Sequence, residues 1–399
     1  MLDIGSFGQA GFVADIAATE LPAAAVTGGK NFRVYGGGVQ SIGGAKAVAA
    51  GVIGSPSFGV TALDDSANLV LLYGTQNKLG KWDGVQHFDI TRTSGAYTAT
   101  FRSAAFLSGI PVLTNGSDVP QALLNFSTHF VDLPNWPINT TAGVICSIGP
   151  ILVACDITKA GQRFPTLVKW STPADPGSVP ASWDETDPTV DAGEVDVGGL
   201  RNPILAAVRL RESCLLYRQH SADIMQYVGG QFVFAFKNVL SNSGVLGPHC
   251  AVDVRGTHVL FGTDDLLMFD GGTAKSLGNQ RLRRWLYSQI DITNYANSFV
   301  LFNDVLNEVW FCFPTSSSSV CNMALVWSID TNSFGIVELP QLAFALTGPF
   351  EDSTLDTFDG AVGDFDSDSE VFDNAPLVAA GTNLIGLSEQ NTSIVLLDS

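Results

Sequence analysis

The chain has 399 residues, 46% of them hydrophobic, with 20 basic and 39 acidic side chains and a formal net charge of −19. The hydrophobic content excludes a disordered chain, and the deficit of Lys and Arg excludes a protein that wraps nucleic acid by neutralising its phosphates. One compact core rarely grows past roughly 250–300 residues, so the chain is either several domains or an architecture that grows by repetition.

At the start, MLDIGSFGQAGF lacks a basic stretch followed by an apolar core, so no signal peptide is expected. YGGGVQSIGG (35–44) is Gly-rich but opens no helix, and reads as hairpin turns rather than a phosphate cradle. Residues 1–50 are read as an N-terminal arm and first hairpin. A string then recurs: a polar or Gly turn, a short run of β-formers, and a small polar turn. Its copies are SANLVLLYGT (66–75), SGIPVLTNG (108–116), GPILVACD (149–156), ESCLLYRQ (212–219), GTHVLFGT (256–263) and NEVWFCFPT (307–315), with a weaker seventh in GTNLIGLSE (381–389).

Anchored at Leu72, Val112, Val153, Leu216, Leu260 and Trp310, the strings recur at roughly 40–50 residues, the period of four-stranded propeller blades, with one longer step. That step holds a Pro- and Asp-rich insertion, 171–199. KWDG (81–84), LLMFDGG (266–272) and MALVWSIDTNSFGI (323–336) add a further strand and turn after the string. Helical periodicity is confined to NQRLRRWLYSQI (279–290), where Leu282, Trp285, Leu286 and Ile290 share a face. Two β-sandwiches are the alternative, but the period crosses the whole chain without a mid-chain linker. The expected fold is therefore an all-β propeller of six or seven four-stranded blades, with inserted loops and one short helix. Blades occupy 51–345, an acidic inserted loop 346–375, and closing strands 376–399.

The residues that could carry chemistry have plainer roles available. Cys146, Cys155, Cys214, Cys250, Cys312 and Cys321 show no metal spacing and are expected to be reduced and mostly buried. The pairs Asp64-Asp65 and Asp264-Asp265 sit at turns, where Asp bonds its own backbone. In the acidic loop, Asp364, Asp366 and Asp368 have the spacing that opens a calcium loop, but the Gly and the twelfth-position acid are missing. His87, His129, His220, His249 and His258 are dispersed. No GxSxG, P-loop, sialidase box, WD40 or Kelch pattern is present, so no catalytic residue and no cofactor is expected. The basic cluster Arg281, Arg283 and Arg284 beside Trp285 is an interface candidate or a clamp on the chain's own rim. AGVICSIGPILVAC (142–155), the longest apolar stretch, is too short to span a membrane.

Five segments together resemble the tail nozzle (tail tubular) and DNA-stabilisation hub proteins of short-tailed bacteriophages. NFRVYGGGVQSIGG (31–44) is similar to their opening strand-turn-strand. LVKWSTPADPGSVPASW (167–183) resembles their Trp-Ser strand end and following loop, and LLYRQHSADIMQYVGGQFVFAF (215–236) their Tyr-x-Gly-Gly turn with its aromatic strand. HVLFGTDDLLMFDGGTAKSLGNQRLRRWLYSQI (258–290) has their hairpin, Phe-Asp-Gly turn and Arg-Trp helix, and 307–336 completes the order. The resemblance implies a structural virion protein assembled in the host cytoplasm and carried in the tail. It also implies a six-fold ring of identical subunits below an adaptor (connector) ring, neighbouring fibre or spike proteins, and genome DNA passing through the channel without sequence-specific contact. It implies no active site, and gives the acid a role in letting DNA slide. The alternative is a propeller-type glycan-binding or glycan-cleaving tail-associated protein, which would place paired carboxylates in a pocket rich in Trp and Tyr.

Overall fold

Short apolar runs separated by turns fold locally into antiparallel meanders. The computed structural model, which describes residues 8, 10–21, 24–36, 38–49, 51–198, 202–230, 232–278, 282–348, 383–388 and 392–398, shows how the meanders assemble. Five four-stranded sheets follow one another at 58–89, 103–132, 140–196, 206–241 and 251–276, each strand pairing with the next in sequence. Their first strands pack side by side around an axis and form the inner wall of a β-propeller. Of the remaining described strands, Gly11–Phe12 and Ala25–Val26 pair in parallel in the N-terminal arm, and the other nine form one sheet that completes the ring.

All seven recurring strings fall on second strands: Leu69–Gly74, Ile110–Thr114, Ile151–Lys159, Ser213–Tyr217, Thr257–Phe261, Glu308–Phe313 and Asn383–Ser388. A second strand is paired along both edges and covered on both faces by neighbouring blades, so every position favours an apolar residue. Leu72, Val112, Val153, Leu216 and Leu260 are accordingly buried without any exposed area. The repeat visible in the sequence is this doubly covered strand.

The expectation of six or seven separate four-stranded blades is corrected to five. The strings at 307–315 and 381–389 belong to the nine-stranded sheet, because Ser333–Gly348 runs as one 16-residue strand that links the strands on either side of it into a single sheet. Its first half pairs with Cys321–Ser328 and its second half with Asn383–Ser388. The corner lies at Pro340-Gln341: Pro340 brings no N–H to the ladder, and Gln341 takes φ 57°.

The nine-stranded sheet is built from both ends of the chain. Ser393–Leu397 pairs with Ala45–Ala49, and the hairpin Phe32–Tyr35/Gly38–Ser41 docks through Phe32 on Ile336. Gly335 permits that docking, since a Cβ there would run into the Phe32 carbonyl oxygen. Beneath the hairpin, Arg33 is buried between two acids. Its Nη1 lies 3.2 Å from Glu308 Oε2, and its Nη2 pairs with Asp398. Asp398 Oδ1 also accepts the Gly43 N–H at 2.8 Å, and Trp310 Nε1 donates to Glu308 Oε2 at 3.4 Å. One guanidinium thus serves two carboxylates, and Glu308 Oε1 has no partner among the described residues. Burial pushes Glu308 up to about 7 against the pull of Arg33, and Asp398 adds to the rise.

The insertion, described over 171–198, is largely exposed but anchored at a few points. Trp183 is buried edge-on against Trp136 at 4.6 Å, and the buried Lys169 pairs with Glu185 and, at 3.3 Å, with Glu194. Burial would raise Glu185, but the Lys169 hydrogen bond and the nearby positive charges hold it down at about 2. The helix, α1, spans Arg283–Gln289, starting later than the periodicity suggested, with 279–281 outside the described residues. Of the acidic loop 346–375, the described part is the strand end 346–348; of 376–399, it is the two strands with flanking Thr392 and Asp398.

A raised acid binds its proton more tightly in the folded state, so its contribution is complete below the ordinary pKa of 4.5 and is lost as pH rises through about 7. The stability advantage of the parent over Glu308→Gln should shrink by about 3 kcal/mol between pH 4.5 and 8, measured by urea unfolding across that range. A pH-independent difference would mean that Glu308 is ionised throughout.

Candidate functional site: the axial cavity

Four antiparallel strands return the chain to the end of the blade it left, so successive inner strands run in parallel and start at the same end of the axis. The parallel bridge between His249 and Phe299, just ahead of and at the start of two inner strands, shows this directly. The starts of these strands enclose a cavity of about 210 Å3. Segments of seven inner strands reach it: Phe58–Val60, Arg102–Ala104, Val144–Ile145, Leu205–Val208, Pro248–Ala251, Val300 and Phe344. No acidic side chain lines it.

Most of the lining side chains are apolar and one side is aromatic, but more than half of the exposed surface comes from polar atoms. His249 stacks on Phe58 at 5.5 Å and meets Phe344 edge-on at 4.8 Å, while Phe58 and Phe344 lie 5.4 Å apart. His249 comes from the fifth blade and Phe58 from the first, so their contact closes the axis at this level. The space that remains holds only a handful of water molecules.

Arg102 is the fixed charge of the cavity. Its Nε donates to the Gly143 carbonyl at 3.0 Å and its Nη2 to Asp156 Oδ2 at 3.2 Å, while Nη1 has no partner among the described residues. Asp156 sits at a bulge with φ 55° and is itself buried. It also accepts Arg163 Nε at 2.6 Å and Nη2 at 3.0 Å. Two guanidiniums therefore share one carboxylate. The Arg102 side chain remains 41% exposed. Burial pushes its pKa down, Asp156 pulls it up, and Arg163 opposes Asp156. Burial, helped by the Arg102 charge, also pushes His249 down to about 4, so the imidazole is neutral at pH 7.

The residues singled out from the sequence lie elsewhere. Arg283 and Arg284 are exposed at the start of α1, and Arg281 is outside the described residues. Asp15 of the N-terminal arm accepts the backbone N–H of Arg284 at 2.6 Å and of Trp285 at 2.9 Å. Trp285 packs edge-on against Phe12 at 4.8 Å, and Arg283 reaches Asp264 at 3.2 Å. These contacts tie the N-terminal arm to the start of α1 and leave Arg284 exposed. Asp364, Asp366 and Asp368 fall outside the described residues.

Of the paired aspartates, Asp64 and Asp265 bond their own turns, whereas Asp65 and Asp264 reach distant residues. Asp64 accepts the N–H groups of Ser66 and Asn68, and Asp265 that of Leu266, while Asp65 ties down Phe126. All six cysteines are free and buried, with Cys146 Sγ 3.3 Å from Cys214 Sγ across two blades. His87 and His258 bond Tyr73 and Tyr217 at 3.0 and 2.8 Å, and His129 and His220 are exposed. Arg102 was not among the residues singled out, and His249 was noted only as dispersed. Both flank inner strands, which carry no run long enough to stand out.

No family model matches the chain, and no curated protein matches it. Solved structures do match. U3-55K aligns with TM-score 0.50 and 8% identity over 89% of this chain and 98% of that one. A streptogramin B lyase aligns at 0.49 and 10% over 88% and 96%, and the computationally designed Ika8 protein at 0.46 and 10% over 89% and 96%. At such identities the likeness to U3-55K concerns the propeller fold alone.

A histidine held neutral by its fold contributes stability that is complete above its ordinary pKa of 6.5 and is lost as pH falls toward 4. In an NMR titration the His249 ring should stay neutral down to about pH 4, and Arg102→Gln should raise its midpoint. Asp15→Ala should cost about 1–2 kcal/mol of unfolding free energy, because two N–H groups at the start of α1 lose their acceptor.

Proposed function

We propose that the chain is a structural virion protein, a subunit of a homo-oligomeric ring in the tail nozzle or hub of a short-tailed phage. The observation that carries the proposal is the hairpin tip of the fourth blade, within the resembling segment 215–236. There Phe232, Tyr227 and Val228 are 73%, 58% and 54% exposed on one turn, held open by Gly229 and Gly230 at φ 68° and 72°. Apolar side chains gathered on an exposed tip belong to surfaces that another protein covers. The glycan-cleaving alternative lacks support at the axis, where a hydrolase would need two facing carboxylates and the lining contains none.

The axial cavity also refines the proposal. DNA cannot thread a propeller whose axis is closed by His249, Phe58 and Phe344. The conduit therefore lies between subunits, with each propeller a solid wall segment. The net charge of −19 keeps such a wall from holding phosphate. Adaptor and fibre proteins are the partners above and beside the ring.

Purified full-length chain, alone and with its adaptor ring, should form closed rings in electron microscopy and mass measurement. Phe232→Asp should reduce the assembled fraction about tenfold without lowering the unfolding midpoint. Monomers alone at high concentration with the adaptor present would overturn the proposal. Release of reducing sugar from host polysaccharide, abolished by a single Asp→Asn change, would establish the alternative.

A further inference from the structure

The axial cavity has a charge imbalance that the ring reading does not use. Arg102 and Arg163 share the single carboxylate of Asp156, leaving one positive charge in excess. Arg163 projects away from the axis in its own blade, whereas Arg102 lines the cavity. Among the described residues no acid faces Arg102 from inside the cavity, and the chain as a whole is strongly acidic. Arg102 stays partly solvated in this half-open cleft, where a concave wall carrying one sign of charge attracts an anion more strongly than a flat surface does.

The guanidinium is held for such a partner. Its Nε and one Nη2 hydrogen are committed to Gly143 and Asp156, which fixes the plane, while Nη1 and the second Nη2 hydrogen form an unoccupied fork. A two-hydrogen fork matches the two oxygens of a carboxylate. Across the cavity, Phe58, His249 and Phe344 offer aromatic surface. His249 stays uncharged at neutral pH, so it serves as part of that surface rather than as a second cation. The volume is about 210 Å3, and an apolar cavity of roughly 150 Å3 accepts benzene.

We propose that the axial cavity binds one small organic carboxylate with an aromatic or compact apolar body, its carboxylate on Arg102 and its body against Phe58, His249 and Phe344. The proposal does not rest on ring assembly and applies to the chain in any oligomeric state. A ligand there would couple the first, second and fifth blades with the nine-stranded sheet across the axis, stiffening the ring from its centre.

Benzoate is the probe, titrated into the full-length protein by calorimetry with the His249 ring resonances followed by NMR. We expect one benzoate per chain, displacement of the His249 resonances, and about tenfold weaker binding of both sulfate and benzyl alcohol, each of which lacks half of the ligand. Arg102→Gln should weaken binding at least about tenfold. Because that change also removes two internal bonds, Ala207→Leu, which fills the cavity without altering charge, tests the site independently and should abolish binding with unfolding still cooperative. The proposal is overturned if the folded protein shows no saturable benzoate binding. It is equally overturned if both variants bind like the parent, or if sulfate binds as tightly as benzoate.

Discussion

A β-blade has two apolar faces and cannot cover either by itself. Every other feature of this chain follows from that constraint. Each blade is covered by the next, so the row of blades is stable only when the last covers the first, and the last contact must be made by parts of the chain farthest apart in sequence. Here Ser393–Leu397 and Ala45–Ala49 make it as neighbouring strands. Arg33 then bonds Glu308 and Asp398, tying the N-terminal hairpin, the nine-stranded sheet and the C-terminal end to one buried cation. Breaking either link exposes apolar faces on two sheets at once, which makes the closing sheet the point where local and global stability meet.

Two charge clusters are unbalanced in opposite senses, the first buried and the second with its guanidiniums partly exposed. At the closing sheet one guanidinium has two carboxylates; at the axis two guanidiniums have one. Arg218 with Asp223, and Lys159 and Lys169 with Glu185 and Glu194, are matched, whereas Arg92 serves both Asp118 and the more exposed Asp132. In a low-dielectric setting an imbalance is resolved by moving a proton or by recruiting an ion. The first cluster contains a group that can take a proton, Glu308. The second does not, because arginine stays charged and the adjacent His249 is pushed toward neutrality by burial, with help from the same cation.

Much of the fold was legible in the sequence, and unevenly so. The strings anchored at Leu72, Val112, Val153, Leu216, Leu260 and Trp310 stand out because second strands are covered on both faces and read as unbroken apolar runs. First strands face the axis on one side, and carry Arg102, Ser103, Gly59 and Ala207 where a pattern reader expects valine or leucine. Fourth strands are outer edges with mixed polarity, such as His87–Asp89 and Ala274–Ser276. The helix was visible through Leu282, Leu286 and Ile290, but its anchoring by Asp15 and Phe12 comes from a segment some 270 residues away and leaves no local trace.

By itself, the sequence determined the all-β class, the repeat, the turn roles of Asp64 and Asp265 and the burial of the cysteines, because each depends on residues close in the chain or on hydrophobicity alone. Tertiary structure alone decided three things. Five blades stand separately, because an unbroken strand through Pro340 and Gln341 fuses the rest into one sheet. The axis is closed, because side chains from opposite blades meet across it. Arg102 faces an enclosed space without an opposing acid, because the strands that surround it come from every part of the chain. Each is a relation between residues far apart in sequence, set by how the ring closes.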